Sequence, residues 1–555
     1  MRLAHLCYND AMQQTIAKTT SDFKDLRENN DIYVDKTAYL YKLVSTKKTS
    51  ARFFVSRPRR FGKSLMISTL KYLLQGEKEL FRGTYIYNQT DYDWPVVKVL
   101  HFDMSLIPMR EPEKFSQNMT AYVKSVLEAS GYDAYNPTID VSLNFRNALL
   151  AFASQESGPV AVLIDEYDAP IGHCLNDIAL AGKIRDALHD IYIVLKSEAS
   201  SIRFLMLTGV SKFSQLSIFS GLNNLADLYE DDFYATMFGY TEQELDDNFG
   251  DRMQAHAKVM KLPYDVYRTE LKRWYNGYCF NRGAKTVYNP MAIAKTLTAQ
   301  FPGFRPTWSS GSRPSMLVNF ISQGIEAGID FNRPILVKPD QLGNVARLDK
   351  LKLVDILYQS GYLTISSYDE PANRLLLRVP NDEIGQDLNS ILLEFRDDGN
   401  MHDTAGLRAA LVEGKINRFI AELKPFYASL IYGSAEKVVY EAVYRRDLII
   451  ALRSEGFHCV PEAEQANGNR ADLVVTYGKY VYVLELKRAE AASADDALQQ
   501  IIDRDYVAPY ARPGYTLFQV GLAFDDTSHH LIDAKAQKLT IAVPEDEARL
   551  RRSDA

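Results

Sequence analysis

Phe53-Phe54-Val55-Ser56-Arg57-Pro58-Arg59-Arg60-Phe61-Gly62-Lys63-Ser64 is the stretch on which the reading of the whole chain turns. Arg52 to Val55 has the apolar make-up of a buried strand, and Leu65 to Leu74 carries apolar residues at helical spacing. A strand, a phosphate-sized turn and a helix opening on Gly62-Lys63-Ser64 is the layout of a nucleotide P-loop. Backbone N–H groups at the start of such a helix face anionic phosphates. Arg60, Phe61, Gly62, Lys63, Ser64 and Leu65 would therefore wrap the phosphates of ATP, with Lys63 reaching the β and γ oxygens and Ser64 holding Mg2+. One position departs from GxxxxGK[ST], because Arg57, followed by Pro58, stands where a glycine is usual. A basic turn ahead of a core helix is the competing reading.

Further strands follow at the spacing an α/β sheet needs. Trp94 to Asp103 is one, residues 113–130 and 140–155 read as amphipathic helices, and Pro159 to Asp168 is a second. In that second strand an apolar run ends in Asp165-Glu166. The carboxyl ends of parallel strands are where open α/β sheets bind ligands, so Asp165 is expected near Mg2+ and Glu166 on the attacking water. An acidic turn after a core strand is the plainer alternative. Ser201 to Lys212 supplies another strand, ending in Thr208 and Ser211, a candidate sensor of the γ-phosphate. The alternation predicts a doubly wound parallel sheet. Ahead of the P-loop, Asp31 to Lys48 reads as a short extended piece and a helix, placed to approach the base.

Residues 240–300 turn helical and aromatic, with Trp274-Tyr275-Asn276-Gly277-Tyr278 and Tyr288-Asn289-Pro290 read as a packing core. Leu348 to Ile365 and Arg374 to Val379 give helix, strand, turn, strand, a small winged-helix-like unit. From about 400 the pattern restarts with a helical region at 407–455. Asn467 to Thr476 turns into a strand, Gly478-Lys479 makes a hairpin turn, and Tyr480 to Lys487 returns. Glu485 and Lys487 are two apart and share a strand face. Asp472, entering the paired strand, is expected to share a metal with Glu485, while Lys487 steadies charge growing on a phosphate. Alternation in a half-buried hairpin would also line up charges. Val483, Leu484 and Leu486 make this strand largely apolar, however, and charges there need a reason.

Composition bounds the rest. The 555 residues suffice for two to four domains, and 46% hydrophobic with 24% charged residues is an ordinary globular balance. The net charge of −7 excludes a chain-wide basic footprint, so any nucleic-acid surface is local. Candidate contacts are Arg445-Arg446, Arg470 and Lys487-Arg488. Cys7, Cys174, Cys279 and Cys459 lie far apart without metal-ligand spacing, which points to a reducing compartment. No apolar run approaches the ~18 residues that span a bilayer, and the N-terminus lacks the apolar core of a secretory signal, so a cytoplasmic protein without a membrane partner is expected.

Taken together, YVDKT at 33–37, RPRRFGKS at 57–64, LIDEYDAPI at 163–171, LTGVSKFS at 207–214, IFSGLNNL at 218–225, WYNGY at 274–278 and YNP at 288–290 resemble the AAA-ATPase-like family of mobile, mainly prokaryotic proteins. That family joins a P-loop ATPase to a C-terminal PD-(D/E)XK nuclease domain, and the resemblance runs from about Asp22 to Tyr510. It implies an AAA/STAND-like ATPase over 1–240, a helical and winged-helix-like region over 241–400, and a nuclease-like α/β domain over 401–545. Within the family RPRRFGKS is the usual loop, so Arg57 is a family variant. By position, Lys63 and Ser64 match the phosphate loop and Asp165-Glu166 the Walker B pair. Asp472, Glu485 and Lys487 match the nuclease signature, with Glu441 as a helical acid before it and Gln500 and Tyr506 on the helix after it. Ala471 replaces the proline of the PD element, which removes no ligand. Nucleotide ligands are thus Arg60 to Leu65, Asp165 and Thr208. Metal ligands are Ser64, Asp165, Glu441, Asp472 and Glu485, for Mg2+ or, at the nuclease site, Mn2+. The expected function is an ATPase coupled to cleavage of phosphodiesters, with DNA the expected substrate, in defence or mobile-element biology. The rival is an ATP-switched scaffold whose nuclease-like domain binds DNA or a protein without cutting. A homo-oligomer is left open.

Overall fold

The computed structural model describes residues 14–17, 20–45, 51–156, 158–175, 177–212, 225–228, 231–282, 285–308, 333–339, 342, 352–396, 404–430, 441–465, 468–525 and 528–540. The end of LTGVSKFS, IFSGLNNL up to 224, Cys7, Asn467, residues 348–351 and residues 431–440 lie outside them. The chain divides into two compact units, Met1–Leu317 with Pro334–Asn381, and Val318–Arg333 with Asp382–Ala555. The middle region read from the sequence as 241–400 is shared out between these units.

In the first unit, α1 (Phe23–Glu28) and α2 (Thr37–Val44) precede β1 (Ala51–Ser56) and the P-loop helix α3 (Lys63–Leu74). Then come β2 (Val99–Asp103), α4 (Phe115–Ala129), α5 (Val141–Ala153), β3 (Val160–Asp165), α6 (Ile178–Ser197), β4 (Ile202–Gly209) and the two-residue β5 (Ala226–Asp227). All five strands are parallel, in the order β2-β3-β4-β1-β5. Period-two alternation assigns the faces. Val160, Val162 and Ile164 join one core with Phe145 and Leu149 of α5 and Leu188 and Tyr192 of α6, while Ala161 and Leu163 are buried on the other face. Burial on both faces is what makes these strands uniformly apolar. Because β1, β3 and β4 are neighbours, their carboxyl ends bring Ser56, Asp165 and Gly209 to one edge.

The aromatic segment folds as α7 (Glu242–Val259), α8 (Tyr264–Tyr275) and α9 (Pro290–Leu297), a core of its own. WYNGY and YNP are structural there. Glu242 accepts hydrogen bonds from Asn276 (3.1 Å) and Tyr288 (2.9 Å), and Asn289 caps α9. Gly277 has φ +100°, and a Cβ at that position would collide with the Pro380 carbonyl. The unit ends with β6 (Ile335–Val337), α10 (Leu353–Ser360), β7 (Thr364–Asp369) and β8 (Arg374–Arg378), whose sheet runs β6-β8-β7.

The second unit contains α11 (Asp382–Arg396), α12 (Ala405–Val412), α13 (Ile416–Ser429), α14 (Glu441–Ser454), β9 (His458–Glu464), β10 (Arg470–Tyr477), β11 (Tyr480–Arg488), α15 (Ala494–Asp503), β12 (Thr516–Phe524) and β13 (Leu531–Thr540). Its mixed sheet runs β13-β12-β11-β10-β9, with only β11 and β12 parallel. Leu473, Leu484 and Leu486 pack towards α14, whereas Val474, Val481 and Val483 pack towards α15. Gln500 and Tyr506 were expected on one helix, but α15 stops at Asp503. Asp505 then takes φ +48°, and Tyr506 is delivered from the turn rather than from the helix.

Candidate functional site

Gly62 caps α3 at φ +91°, and Arg60 takes φ +69°, so the phosphate loop turns through two left-handed residues. The turn points the first amides of α3 into a cavity of about 240 Å3 lined by Arg60 to Met66 and Glu166. Its apolar walls come from the lead-in (Ile16, Ile32, Val34) and from Phe238, Tyr240 and Met291. The lead-in is therefore where a base would stack. YVDKT explains how it is pinned. The Lys36 ammonium donates to Glu244 Oε1 (2.6 Å) and the Thr236 carbonyl (2.8 Å), and Asp35 accepts from the amides of Thr37 and Tyr85. Asp22 caps α1 and accepts from Ser68 and Tyr72 of α3, clamping the lead-in to the P-loop helix.

Lys63 is buried, and its ammonium donates to the loop carbonyls of Arg57 (3.0 Å) and Pro58 (3.1 Å). It is held where arriving phosphate oxygens would take over. Arg60 lines the cavity, yet its guanidinium is engaged with the Thr307 carbonyl (2.5 Å). Glu166 takes φ +52°, a left-handed geometry that costs a non-glycine residue about 1–2 kcal/mol and so marks a constrained position. Burial raises its carboxyl above the usual range, the Lys63 ammonium opposes that rise, and Asp168 and Asp165 add to it.

Asp165 and Thr208 do not line this cavity. Asp165 is buried at the end of β3 and accepts from the Thr208 hydroxyl and from the Glu166 amide (3.0 Å). Thr208, fully buried, therefore braces Asp165 instead of presenting a hydroxyl to a γ-phosphate. Ser211 is likewise turned to Asp168, which also accepts from the amides of Val210 and Ser211. Asp168 was the acid missed in LIDEYDAPI: it ties the loop after β3 to the loop after β4. Its signal was a third carboxylate in a mostly apolar segment.

In the second unit the register Leu473↔Leu484 places Asp472 opposite Glu485 one step on. Alternation from Val483 puts Glu485 on the α15 face, whereas the Asp472 carboxylate is held by Arg445 of α14. The Asp472 amide donates to Glu485 Oε2 (3.4 Å), and Asp472 Oδ2 accepts from the Leu486 amide (2.9 Å). Glu485 Oε1 accepts from Lys487 Nζ (2.9 Å) and from Gln500, whose amide also donates to Tyr506 (3.2 Å). Burial raises the Glu485 carboxyl, Asp472 raises it further, and Lys487 pulls it back. Burial disfavours the Lys487 ammonium, but Glu485, Glu441 and Asp472 together hold it above the ordinary lysine value.

Glu441 opens α14 and accepts from the Arg488 amide (3.3 Å). Among the described residues no three His, Cys, Asp or Glu side chains converge closely enough to cage a metal, so the expected trio Glu441, Asp472 and Glu485 is not closed up. Asp472 and Glu485 by themselves are a fitting donor pair, because Mg2+ keeps several waters and takes one or two carboxylates. Arg445 has a role at this site that the sequence reading did not give it. It is buried, and it bridges Asp472 Oδ1 (2.9 Å) and Glu462 Oε1 (2.7 Å). Its signal was a spacing of four from Glu441 on one helix face. Arg445 and Arg446 were expected to touch nucleic acid. Both are instead engaged with acids of the same unit, the buried Arg445 as described and the half-buried Arg446 with the buried Asp447 (3.3 Å). Arg470 remains exposed.

The family described as Predicted AAA-ATPase matches residues 18–219, and the PD-(D/E)XK nuclease superfamily matches residues 439–533. An uncharacterized protein in the vnfD 5' region of Azotobacter chroococcum mcd 1 is 30% identical over 530 residues, covering 93% of this chain and 98% of its own length. The chain belongs to the AAA-ATPase-like family with a C-terminal PD-(D/E)XK domain. Among solved structures, the Aeropyrum pernix ORC2 protein in ADPNP–ADP complexes shares 10% identity at a TM-score of 0.25, covering 66% of this chain and 92% of that one. Cdc6p from Pyrobaculum aerophilum shares 10% at 0.24, covering 70% and 97%. Among the described residues no helix is long and apolar enough to cross a membrane, and Cys174, Cys279 and Cys459 form no disulfide with one another.

Proposed function

We propose that the first unit of this AAA-ATPase-like protein binds and hydrolyses ATP with Mg2+, and that the second cuts phosphodiester bonds in DNA with Mg2+ or Mn2+. ATP would gate the cutting in a cytoplasmic protein of defence or mobile-element biology. The observation that supports the reading is that Asp472, Glu485 and Lys487, scattered over two strands, come within electrostatic reach of one another, with the Asp472 amide and the Lys487 ammonium both donating to Glu485. A divalent ion bound there supplies Lewis acidity and a water of lowered pKa. Lys487 holds positive charge beside the phosphate, and Gln500, steadied by Tyr506, fixes the Glu485 carboxylate. In the first unit Ser64 would hold the nucleotide's metal, with Asp165 behind it. Glu166, its carboxyl raised by burial, orients the attacking water and accepts its proton.

The test is incubation of the whole protein with plasmid and linear DNA, with and without ATP, Mg2+ and Mn2+, beside Glu485→Gln. Metal-dependent cutting by the wild type and none by the variant is expected. Equal cutting by both, or none under any condition, removes the nuclease reading. A second reading, an ATP-switched scaffold that binds without cutting, is favoured by Arg445 occupying Asp472.

A further inference from the structure

A second cavity in the first unit, of about 300 Å3, shares no lining residue with the nucleotide cavity. It is bounded by Ser56, Arg57 and Pro58, which lead into the phosphate loop, by Val210 and Lys212 after β4, and by Tyr358 and Gln359 of α10. Its volume is at the lower end of small-molecule sites, about 300–1,000 Å3, and roughly ten times the share of one water.

The lining has two characters. Pro339, Leu342, Ile365 and Leu375 give an apolar side. Three cationic groups share the lining. The Arg57 guanidinium is 1% exposed and lies 4.6 Å from the Phe280 ring centre. The Lys212 ammonium is buried 2.7 Å from Asp227, and Arg282 sits at the rim over Tyr368. Asp232 is the one carboxylate in the described lining. Gln359 is decisive. It is 9% exposed, its Oε1 accepts from the Lys212 amide (3.1 Å), and its Nε2 has no hydrogen-bond partner among the described residues. Buried amide donors are seldom left unmade, and this one lines a cavity that has room for an acceptor.

We propose that this cavity binds a phosphate monoester of about the size of a nucleoside monophosphate. Its oxyanion is taken by Gln359 Nε2 in the positive field of Arg57 and Arg282, the Lys212 charge being met by Asp227, and its organic body lies against Leu342 and Leu375. The site also has a route to the ATPase, a clause that rests on the P-loop reading. The carbonyls of Arg57 and Pro58, on its wall, are those that hold Lys63, so an occupant bears on the loop that must release Lys63 to ATP.

The test uses the full chain saturated with Mg2+ and a non-hydrolysable ATP analogue, titrated calorimetrically with AMP, inorganic phosphate and citrate. One equivalent of AMP should bind the loaded wild type, more tightly than phosphate or citrate. Gln359→Glu keeps the acceptor and replaces the donor with a negative charge, so it should weaken AMP by about tenfold or more while leaving the analogue's affinity unchanged. Arg282→Ala, at the exposed rim, should weaken AMP by about threefold without risk to folding. The proposal is overturned if AMP does not bind the loaded wild type, if citrate binds better, if bare phosphate binds as well, or if Gln359→Glu, with unchanged melting, binds AMP as the wild type does. Failure of the analogue to bind would instead strike the P-loop reading, and AMP binding that depends on Gln359 would still report the cavity.

Discussion

Lys63→Ala tests the nucleotide site most directly, and the structure bounds its effect. The ammonium makes two hydrogen bonds to the carbonyls of Arg57 and Pro58, at 3.0 and 3.1 Å. Binding exchanges these for contacts to phosphate oxygens, so the lysine's full gross interaction is never gained. Hydrogen bonds to charged groups contribute about 1.5–3 kcal/mol each. Two ionic contacts replacing two ion–carbonyl ones should leave a net gain of about 2–3 kcal/mol, a loss of roughly 30- to 150-fold in affinity when the lysine is removed. A second consequence is separable from the first. The Lys63 charge holds the Glu166 carboxyl down against burial, so the variant should push that carboxyl still higher and shift any residual ATPase activity to higher pH. Isothermal titration with a non-hydrolysable ATP analogue and Mg2+ gives the affinity, and melting without nucleotide checks the fold. Affinity within twofold of wild type in a folded variant would refute the reasoning, because it would mean that phosphate never meets this ammonium.

Other perturbations separate the two units and their acids. Glu166→Gln should bind the ATP analogue within about twofold of wild type yet lose about 10²–10⁴ in turnover, and turnover near normal would remove it as the base. Asp472→Ala and Glu485→Ala should each abolish metal-dependent cutting of plasmid while leaving ATP hydrolysis near wild type; retained cutting in either variant counts against the shared metal. Arg445→Ala removes the guanidinium that bridges two partly exposed acids, Asp472 and Glu462, so melting should reveal a loss of about 1 kcal/mol that Mn2+ partly restores, and a Mn2+ response no larger than wild type's would mean that Arg445 and a metal do not compete for Asp472. His256, buried against Tyr267, is pushed from 6.5 down to about 4 by burial, so below pH 6.5 the unfolded chain gains a proton that the folded chain refuses. Its contribution is full above pH 6.5 and is lost as pH falls towards 4, by about 3 kcal/mol at 1.36 kcal/mol per unit, and a melting profile of His256→Phe with the same acid slope as wild type would exclude it.

How much of this was legible in the sequence follows from how local each signal is. The strands ending at Ser56, Asp165 and Gly209 were readable because burial on both faces demands unbroken apolar runs, and acids at their ends stand out. The hairpin of β10 and β11 was equally readable, since Gly478-Lys479 fixes the register and the register sets Asp472 opposite Glu485. Side-chain commitments between distant segments were not readable. Thr208 had the position of a sensor, but only the β3–β4 pairing shows that its hydroxyl is spent on Asp165. Arg445 and Arg446 read as a basic pair for nucleic acid, but helix phase turns them onto acids of their own unit. The partition of residues 241–400 depends on which core each helix joins, and amphipathic periodicity gives a helix's face but not its partner.

Arg57 shows the same division between backbone and side chain. The sequence pattern expects glycine there, and glycine is needed where φ is positive or where a Cβ would collide. Positive φ within the loop falls at Arg60 and Gly62, not at 57. The Arg57 amide donates to the Gly209 carbonyl (3.1 Å), so this residue extends the β1–β4 pairing by one step before the chain turns. A residue in extended geometry has no call on glycine's freedom. What position 57 needs is a place for a long cationic side chain, and the aromatic segment supplies it. Phe280 and Phe238 lie 4.6 and 5.8 Å from the guanidinium, and Phe61 of the same loop packs edge-on against Tyr278 at 4.8 Å. Both ends of the phosphate loop are thus seated on residues from 238–280, so the loop's shape depends on WYNGY packing as well as on its own glycine. A lone motif match weighs position 57 as a defect. With its aromatic bed in place, the arginine is the anchor that lets Gly62 and Lys63 be presented to a phosphate.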